Sequence, residues 1–268
     1  MSNNYKLIPY GISNFKQVIR ENKYLVDKTM FFEKMERAGN FLFLVRPRRF
    51  GKSLFLDMLE TYYDINEKDH VQAYFKGMYV ERHPTAERGT FQVLHLDFSQ
   101  VGSDLDRLED NFNIYCSQVV EQFVKAYQQY YGPGFAEEVM RLETGSQKLT
   151  QISLEARRRD FKLYLIVDEY DNFTNNVLNV RGQKAYHDLT HGTGFYRDVF
   201  KVFKPMIYNF DLLFDYRHSL CKMVVLVHCY SQVVYLSINH GLVRFQFMLY
   251  FSITCFCGYN NAGYGCCC

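Results

Sequence analysis

No aspartate or glutamate occurs after Asp215 and no proline after Pro205, whereas seven of the eight cysteines lie at or beyond Cys221. A folded surface normally intersperses charges of both signs, so the chain divides near residues 205–216 into two kinds of sequence. The cysteine-rich part lacks the paired CxxC spacing and partner histidine of a zinc site, which excludes a structural zinc reading. Its apolar runs, Met223 to Val227 and Phe247 to Phe256, stand among His228, Ser231, Gln232, Asn239, His240 and Arg244. Neither reaches the ~20 residues that span a bilayer. Met1 to Lys6 holds no apolar leader region, which argues against secretion and makes the cytoplasm the expected compartment. A translated wrong reading frame produces an acid-free, cysteine-rich stretch of this kind, and that reading is preferred here over any function for 206–268.

Net charge is small as well. The 31 bases and 29 acids leave a formal charge of +2, so nothing global favours nucleic acid or an anionic membrane as a partner. Setting aside Arg217, Lys222 and Arg244 leaves 28 bases against 29 acids before Tyr216, and this part sits near neutrality. With 268 residues, 48% of them hydrophobic, there is enough apolar material for a sizeable core.

Ser13 is placed to cap a short helix through about Glu21, and Tyr24-Leu25-Val26 reads as a brief strand before Asp27-Lys28-Thr29. Phe31, Phe32, Met35 and Ala38 keep a helical spacing that Gly39-Asn40 ends. Phe41 to Val45 is apolar without alternation, the pattern of a parallel strand covered on both faces. Arg46-Pro47-Arg48-Arg49-Phe50-Gly51-Lys52-Ser53 follows at once, and then Leu54, Phe55, Met58, Leu59, Tyr62 and Tyr63 mark an amphipathic helix. A second buried strand is expected over Val93 to Asp97, with a long helical stretch from Asp104 to about Tyr131 that Gly132-Pro133-Gly134 breaks. After another helical segment, Leu163 to Val167 forms a third apolar run closing in Asp168-Glu169-Tyr170-Asp171. Strands alternating with helices imply an α/β fold with a mostly parallel central sheet flanked by helices, its crevice at the carboxyl ends of the strands.

Strand, basic loop and helix is the order of a P-loop. In GxxxxGK[ST], backbone N–H groups wrap the phosphates, the lysine reaches the β- and γ-phosphates, and the hydroxyl ligates magnesium. Gly51, Lys52 and Ser53 match, and a helix starting there adds its positive dipole end. Arg46 stands in place of the first glycine, so the loop turns without its φ freedom and Pro47 supplies rigidity instead. The guanidinium groups of Arg46, Arg48 and Arg49 raise the positive field, and they either touch the nucleotide or lie in solvent. An apolar run ending in Asp-Glu is the second signature, in which Asp168 would hold magnesium and Glu169 would polarise the attacking water. Asp171 is expected to cap a helix. Asp97 either faces the same site or starts a turn.

Tyr24 to Thr29, Phe43 to Leu54, Leu96-Asp97-Phe98-Ser99 and Ile166 to Asp171, in that order, together resemble the AAA-ATPase-like family of bacterial proteins. The similarity covers about 5–204, including Phe195 to Lys201. The resemblance implies an arginine at the first loop position as the normal residue, a site for ATP with Mg2+, and a place for Asp27-Lys28-Thr29 flanking the nucleotide. It also implies a further core strand bearing a polar sensor residue and a PD-(D/E)XK nuclease-like domain, neither of which is legible after Lys204. The expectation is therefore a P-loop NTPase domain over 1–205, incomplete at its carboxyl end and truncated relative to the family, with 206–268 unassigned.

Two functions follow. In the first the chain binds ATP and hydrolyses it slowly with magnesium; in the alternative it is a nucleotide-dependent interaction module, or a copy without turnover, whose helices over 104–158 would meet a protein partner. A kinase is disfavoured because no acceptor site or lid is recognisable, and no membrane or nucleic-acid contact is expected of this chain.

Overall fold

Alternate residues of two strands belong to two different cores, and that partition organises the molecule. The computed structural model describes residues 5–38, 40–46, 51–102, 104–169, 179–184 and 221–228. Four strands, β1 (Phe41–Arg46), β2 (Phe91–Asp97), β3 (Lys162–Asp168) and β4 (Cys221–His228), form one sheet in the order β1-β4-β3-β2. All three pairings are parallel. The register runs from Phe41 opposite Met223 to Arg46 opposite His228, and from Phe91 opposite Lys162 to Asp97 opposite Asp168. The carboxyl ends of β1 and β4, and those of β2 and β3, are thereby level in pairs.

Along β2 and β3, Leu94, Leu96, Leu163, Leu165 and Val167 enter one core, and Phe91, Val93, Tyr164 and Ile166 enter the other. The first is closed by α6 (Leu108–Ala126), α7 (Phe135–Met140) and α8 (Gly145–Arg158). The second is covered by α1 (Phe15–Arg20), α2 (Met30–Ala38), α3 (Lys52–Tyr63), α4 (Val71–Tyr74) and α5 (Tyr79–Arg82). This second core is built of rings: Tyr63 stacks on Tyr164 at 4.9 Å between centroids, and Phe32 lies 4.9 Å from Tyr62. Such pairs contribute about 0.5–1.5 kcal/mol each beyond their buried area. On the opposite face, α8 begins with a capping box between Thr144 and Gln147 and presses so closely on α6 that a Cβ on Gly145 would stand 2.5 Å from Cys116 Cβ. Only glycine fits there.

The structure departs from the sequence reading in three places. Asn14, not Ser13, caps α1, its side chain accepting from the Gln17 amide; Asn serves this role as well as Ser. Tyr24-Leu25-Val26 joins no ladder, and Tyr24 donates a single backbone hydrogen bond to Leu7. The largest correction concerns 206–268, where no core strand was expected: Cys221–His228 is β4, lodged between β1 and β3. Met223 to Val227 is too short for a membrane, but it has the length and apolar character of a strand covered on both faces. Asp171, the Phe195 to Lys201 segment and the rest of the cysteine-rich stretch lie outside the described residues.

Candidate functional site

Helix α3 starts at the carboxyl edge of the sheet. Its N-cap, Gly51, is left-handed with φ 68°, a conformation that costs an ordinary L-residue about 1 kcal/mol or more. Gly51 has no side chain to cap the first turn, and no acid lies in that turn to offset the positive end of the helix. Lys52 is only 6% exposed, with its ammonium 3.8 Å from a carboxylate oxygen of Glu169. Ser53 Oγ donates to Asp168 Oδ2 at 3.3 Å. The basic loop and the end of β3, 115 residues apart in sequence, therefore meet at two contacts.

Strand period and helix period explain the convergence. Phe91, Val93, His95 and Asp97 share one face of β2, and Tyr164, Ile166 and Asp168 share the same face of β3. On α3, Ser53, Leu56, Glu60 and Tyr63 fall at i, i+3, i+7 and i+10, one stripe of the helix. At the carboxyl end of that stripe Tyr63 meets the rings of Tyr164 and Phe91; toward its amino end, which lies at the carboxyl edge of the sheet, the partners become polar. His95 Nδ1 is 2.9 Å from Glu60 Oε2, and the His95 Nε2 atom is buried with no hydrogen-bond partner among the described residues.

Burial raises the Asp168 pKa above the ordinary carboxylate range, and the neighbouring charge of Asp97 adds to the effect. His95, the Glu169 amide, which donates to Asp168 Oδ1 at 2.8 Å, and Lys52 act in the opposite sense. For His95, burial by itself would lower the pKa, but the hydrogen bond and charge of Glu60, followed by the charges of Asp168 and Asp97, outweigh it and raise the value. Glu169 has φ 53°, an uncommon conformation for a residue with a side chain. Asp97 starts a turn: it accepts from the Ser99 amide at 3.0 Å and from Gln100 Nε2 at 3.1 Å, while its register keeps it beside Asp168.

Of the residues expected at the site, Gly51, Lys52, Ser53, Asp168 and Glu169 are brought together. Pro47, Arg48, Arg49 and Phe50 lie outside the described residues, and only the backbone of Arg46 is described, at the end of β1. Glu60 and His95 were not anticipated. A polar residue two positions before Asp97 in an otherwise apolar strand was the available signal, because period two puts His95 and Asp97 on one face.

A parallel α/β sheet whose lysine-bearing helix terminus meets a strand-end carboxylate pair defines a general class of phosphate-handling architectures. Within that class the chain belongs to the AAA-ATPase-like family: residues 9–214 match the family described as Predicted AAA-ATPase. Membership points to nucleotide binding. Over 82 residues the chain is 40% identical to a protein of Azotobacter chroococcum mcd 1 named "Uncharacterized protein in vnfD 5'region". That match covers 30% of this chain and 16% of the relative, so the chain corresponds to a small part of that protein's length. No solved structure matches the chain. Among the described residues no helix is long and apolar enough to cross a membrane.

Proposed function

We propose that this chain is a P-loop ATP-binding protein that hydrolyses ATP slowly with magnesium. The observation that carries the reading is the 3.3 Å hydrogen bond from Ser53 Oγ to Asp168 Oδ2, which joins the hydroxyl of the GKS loop to the carboxylate ending the apolar strand β3. A hydroxyl and a carboxylate are the oxygen donors that a small hard dication selects, so the pair fits Mg2+. Ser53 and Asp168 would hold the ion, which when bound would supply positive charge against the charge developing on the phosphates.

Lys52 holds the phosphates of ATP, aided by the uncapped first turn of α3. Ser53 and Asp168 hold the metal. Glu169 orients and polarises water at the γ-phosphate, and its left-handed backbone supports a functional constraint at this position, since strained residues concentrate at active sites. The P-loop unit then extends past residue 205 to include β4, which ends at His228 in register with Arg46 and brings one more polar residue to the carboxyl edge.

The test is ATP binding by the full chain with and without magnesium, followed by phosphate release. Binding that needs Lys52 and is strengthened by magnesium supports the reading; a folded chain that binds no nucleotide ends it. Phosphate release that persists in Glu169→Gln would remove Glu169 from its catalytic role.

A further inference from the structure

Of the eleven large apolar residues that are exposed among the described residues, seven fall within residues 5–30, so they are gathered rather than scattered singly as on an ordinary surface. Tyr5, Leu7, Ile8 and Tyr10 stand in one arm before α1, exposed by 82%, 69%, 76% and 96%. Beside it, exposed Tyr24 and Val26 alternate with the half-buried Lys23, Leu25 and Asp27, and so both point outward. The Tyr24 amide donates to the Leu7 carbonyl at 2.8 Å, which lays the arm along that row and makes one patch of the two. At about 200 Å² for a tyrosine side chain, Tyr5, Tyr10 and Tyr24 leave roughly 450 Å² in water. Leu7, Ile8, Val26 and Met30 bring the patch to roughly 800 Å². The largest apolar patch of a monomer is ordinarily ~300–600 Å², whereas each partner gives ~800 Å² to a standard interface.

The backbone of the arm is open as well. The amides of Lys6, Leu7 and Ile8 find no acceptor among the described residues. In an extended segment the N–H and C=O of one residue serve the same neighbouring strand, so Leu7 faces Tyr24 while Lys6 and Ile8 face away. The Ile8 carbonyl accepts from the Tyr10 amide at 2.9 Å in the turn that ends the arm, and keeps a second lone pair. Pro9 has no N–H, so a ladder on the outer edge stops there.

We propose that this arm is a dimer interface, in which the arms of two copies of the chain pair antiparallel about a two-fold axis at Leu7. Lys6 of one copy then lies opposite Ile8 of the other, the two residues exchanging both N–H···O bonds, and Leu7 meets Leu7 of the second copy. A second copy fits this edge for three reasons. The open groups of Lys6 and Ile8 complement each other in that register. Lys6, the one charge between Tyr5 and Ile12, is set against an isoleucine and not against its own copy. The residues before Tyr216 are close to neutral, so two copies approach without net repulsion. The pairing does not depend on the nucleotide reading.

The experiment is sedimentation of the full chain over a dilution series, as wild type, Leu7→Asp, Leu7→Lys, an equimolar mixture of those two, and Leu154→Asp as a control on α8. Wild type and Leu154→Asp should sediment with twice the mass of the chain at about 10 μM and above. Leu7→Asp and Leu7→Lys each set like charges face to face, so each should associate about tenfold more weakly or not at all, with the thermal midpoint of dilute wild type. Mixing them sets opposite charges face to face and should bring the dimer back. Wild type that stays monomeric at that concentration overturns the proposal, as does a dimer that survives Leu7→Asp. A mixture that remains monomeric overturns the pairing at Leu7. Amide exchange on wild type needs no substitution: the Lys6 and Ile8 amides should exchange several-fold more slowly in concentrated than in dilute protein, and equal rates overturn the interface even if the Leu7 variants fail to fold.

Discussion

The two faces of β2 and β3 are made by the same strands and differ in how they end. On the α6–α8 side the apolar pattern continues to the last positions, Leu96 and Val167. On the α3 side it stops earlier: Val93 and Ile166 give way to His95, Asp97 and Asp168. The first face is buried, with Gln92 Oε1 accepting from the Tyr131 hydroxyl inside it. The second carries charge at the edge where α3 begins, so part of its potential packing is given up for a place where an anion and a cation can be held together. Function in this molecule follows from the face on which charged residues interrupt a strand near its carboxyl end; the polar Gln92 on the α6–α8 side is buried.

Lys52→Ala should have the largest effect on the α3 face, weakening ATP by roughly a hundredfold or more while leaving the fold intact; calorimetry checks the first part and circular dichroism the second. Glu169→Gln should keep ATP affinity within a few-fold and reduce phosphate release by about 10²-fold or more, read by single-turnover assay. The opposite face should answer in the reverse way. Gly145→Ala forces a methyl group into Cys116 and should cost about 1–3 kcal/mol in urea unfolding with no change in ATP affinity. Loss of binding in that variant at a temperature where it remains folded would break the division between the faces.

Titration gives a finer division. The raised pKa of His95 means that its contribution to stability is fully present below about pH 6.5 and is lost as the pH rises through its higher native value. Wild type should lose stability across that window, and His95→Gln should flatten the loss. Asp64 lies at the amino end of β2, with its carboxylate accepting from Tyr127 Oη at 3.0 Å and from the Asn66 amide at 2.9 Å. Burial pushes its pKa up to about 6. Its folded form prefers the proton, so stability falls between about pH 4 and pH 6 as the carboxylate ionises. Asp64→Asn should remove that fall, by about 2–3 kcal/mol at pH 7, and leave ATP binding unchanged; a change in affinity would mean that the two ends of the sheet are coupled.

The apolar runs Phe41 to Val45 and Leu163 to Val167 declared two of the parallel strands, because a strand covered on both faces needs no alternation and shows none, and Val93 to Asp97 declared another, with His95 and Asp97 breaking its apolar character on one face. The order strand, basic loop, helix and the Asp168-Glu169 pair were equally legible, since each is local and its chemistry depends on spacing. Composition misled at β4: a stretch without acids resembled no folded surface, but a central strand has no surface to charge, and Cys221–His228 occupies the middle of the sheet. The meeting of Ser53 with Asp168 and the pairing of Glu60 with His95 were decided by tertiary structure alone. Both depend on the insertion of β4 or the rotation of α3 about its axis, which no local pattern encodes. Lys28 is the clearest case, because its sequence neighbours Asp27 and Thr29 are turned toward α5 while it reaches Gly51, and only the packed chain decides which side chain of a tripeptide meets which neighbour. Local spacing determined the strands, the loop and its chemistry; long-range packing determined what faces that loop, because the energy of those contacts comes from residues that the chain brings together only when the sheet closes.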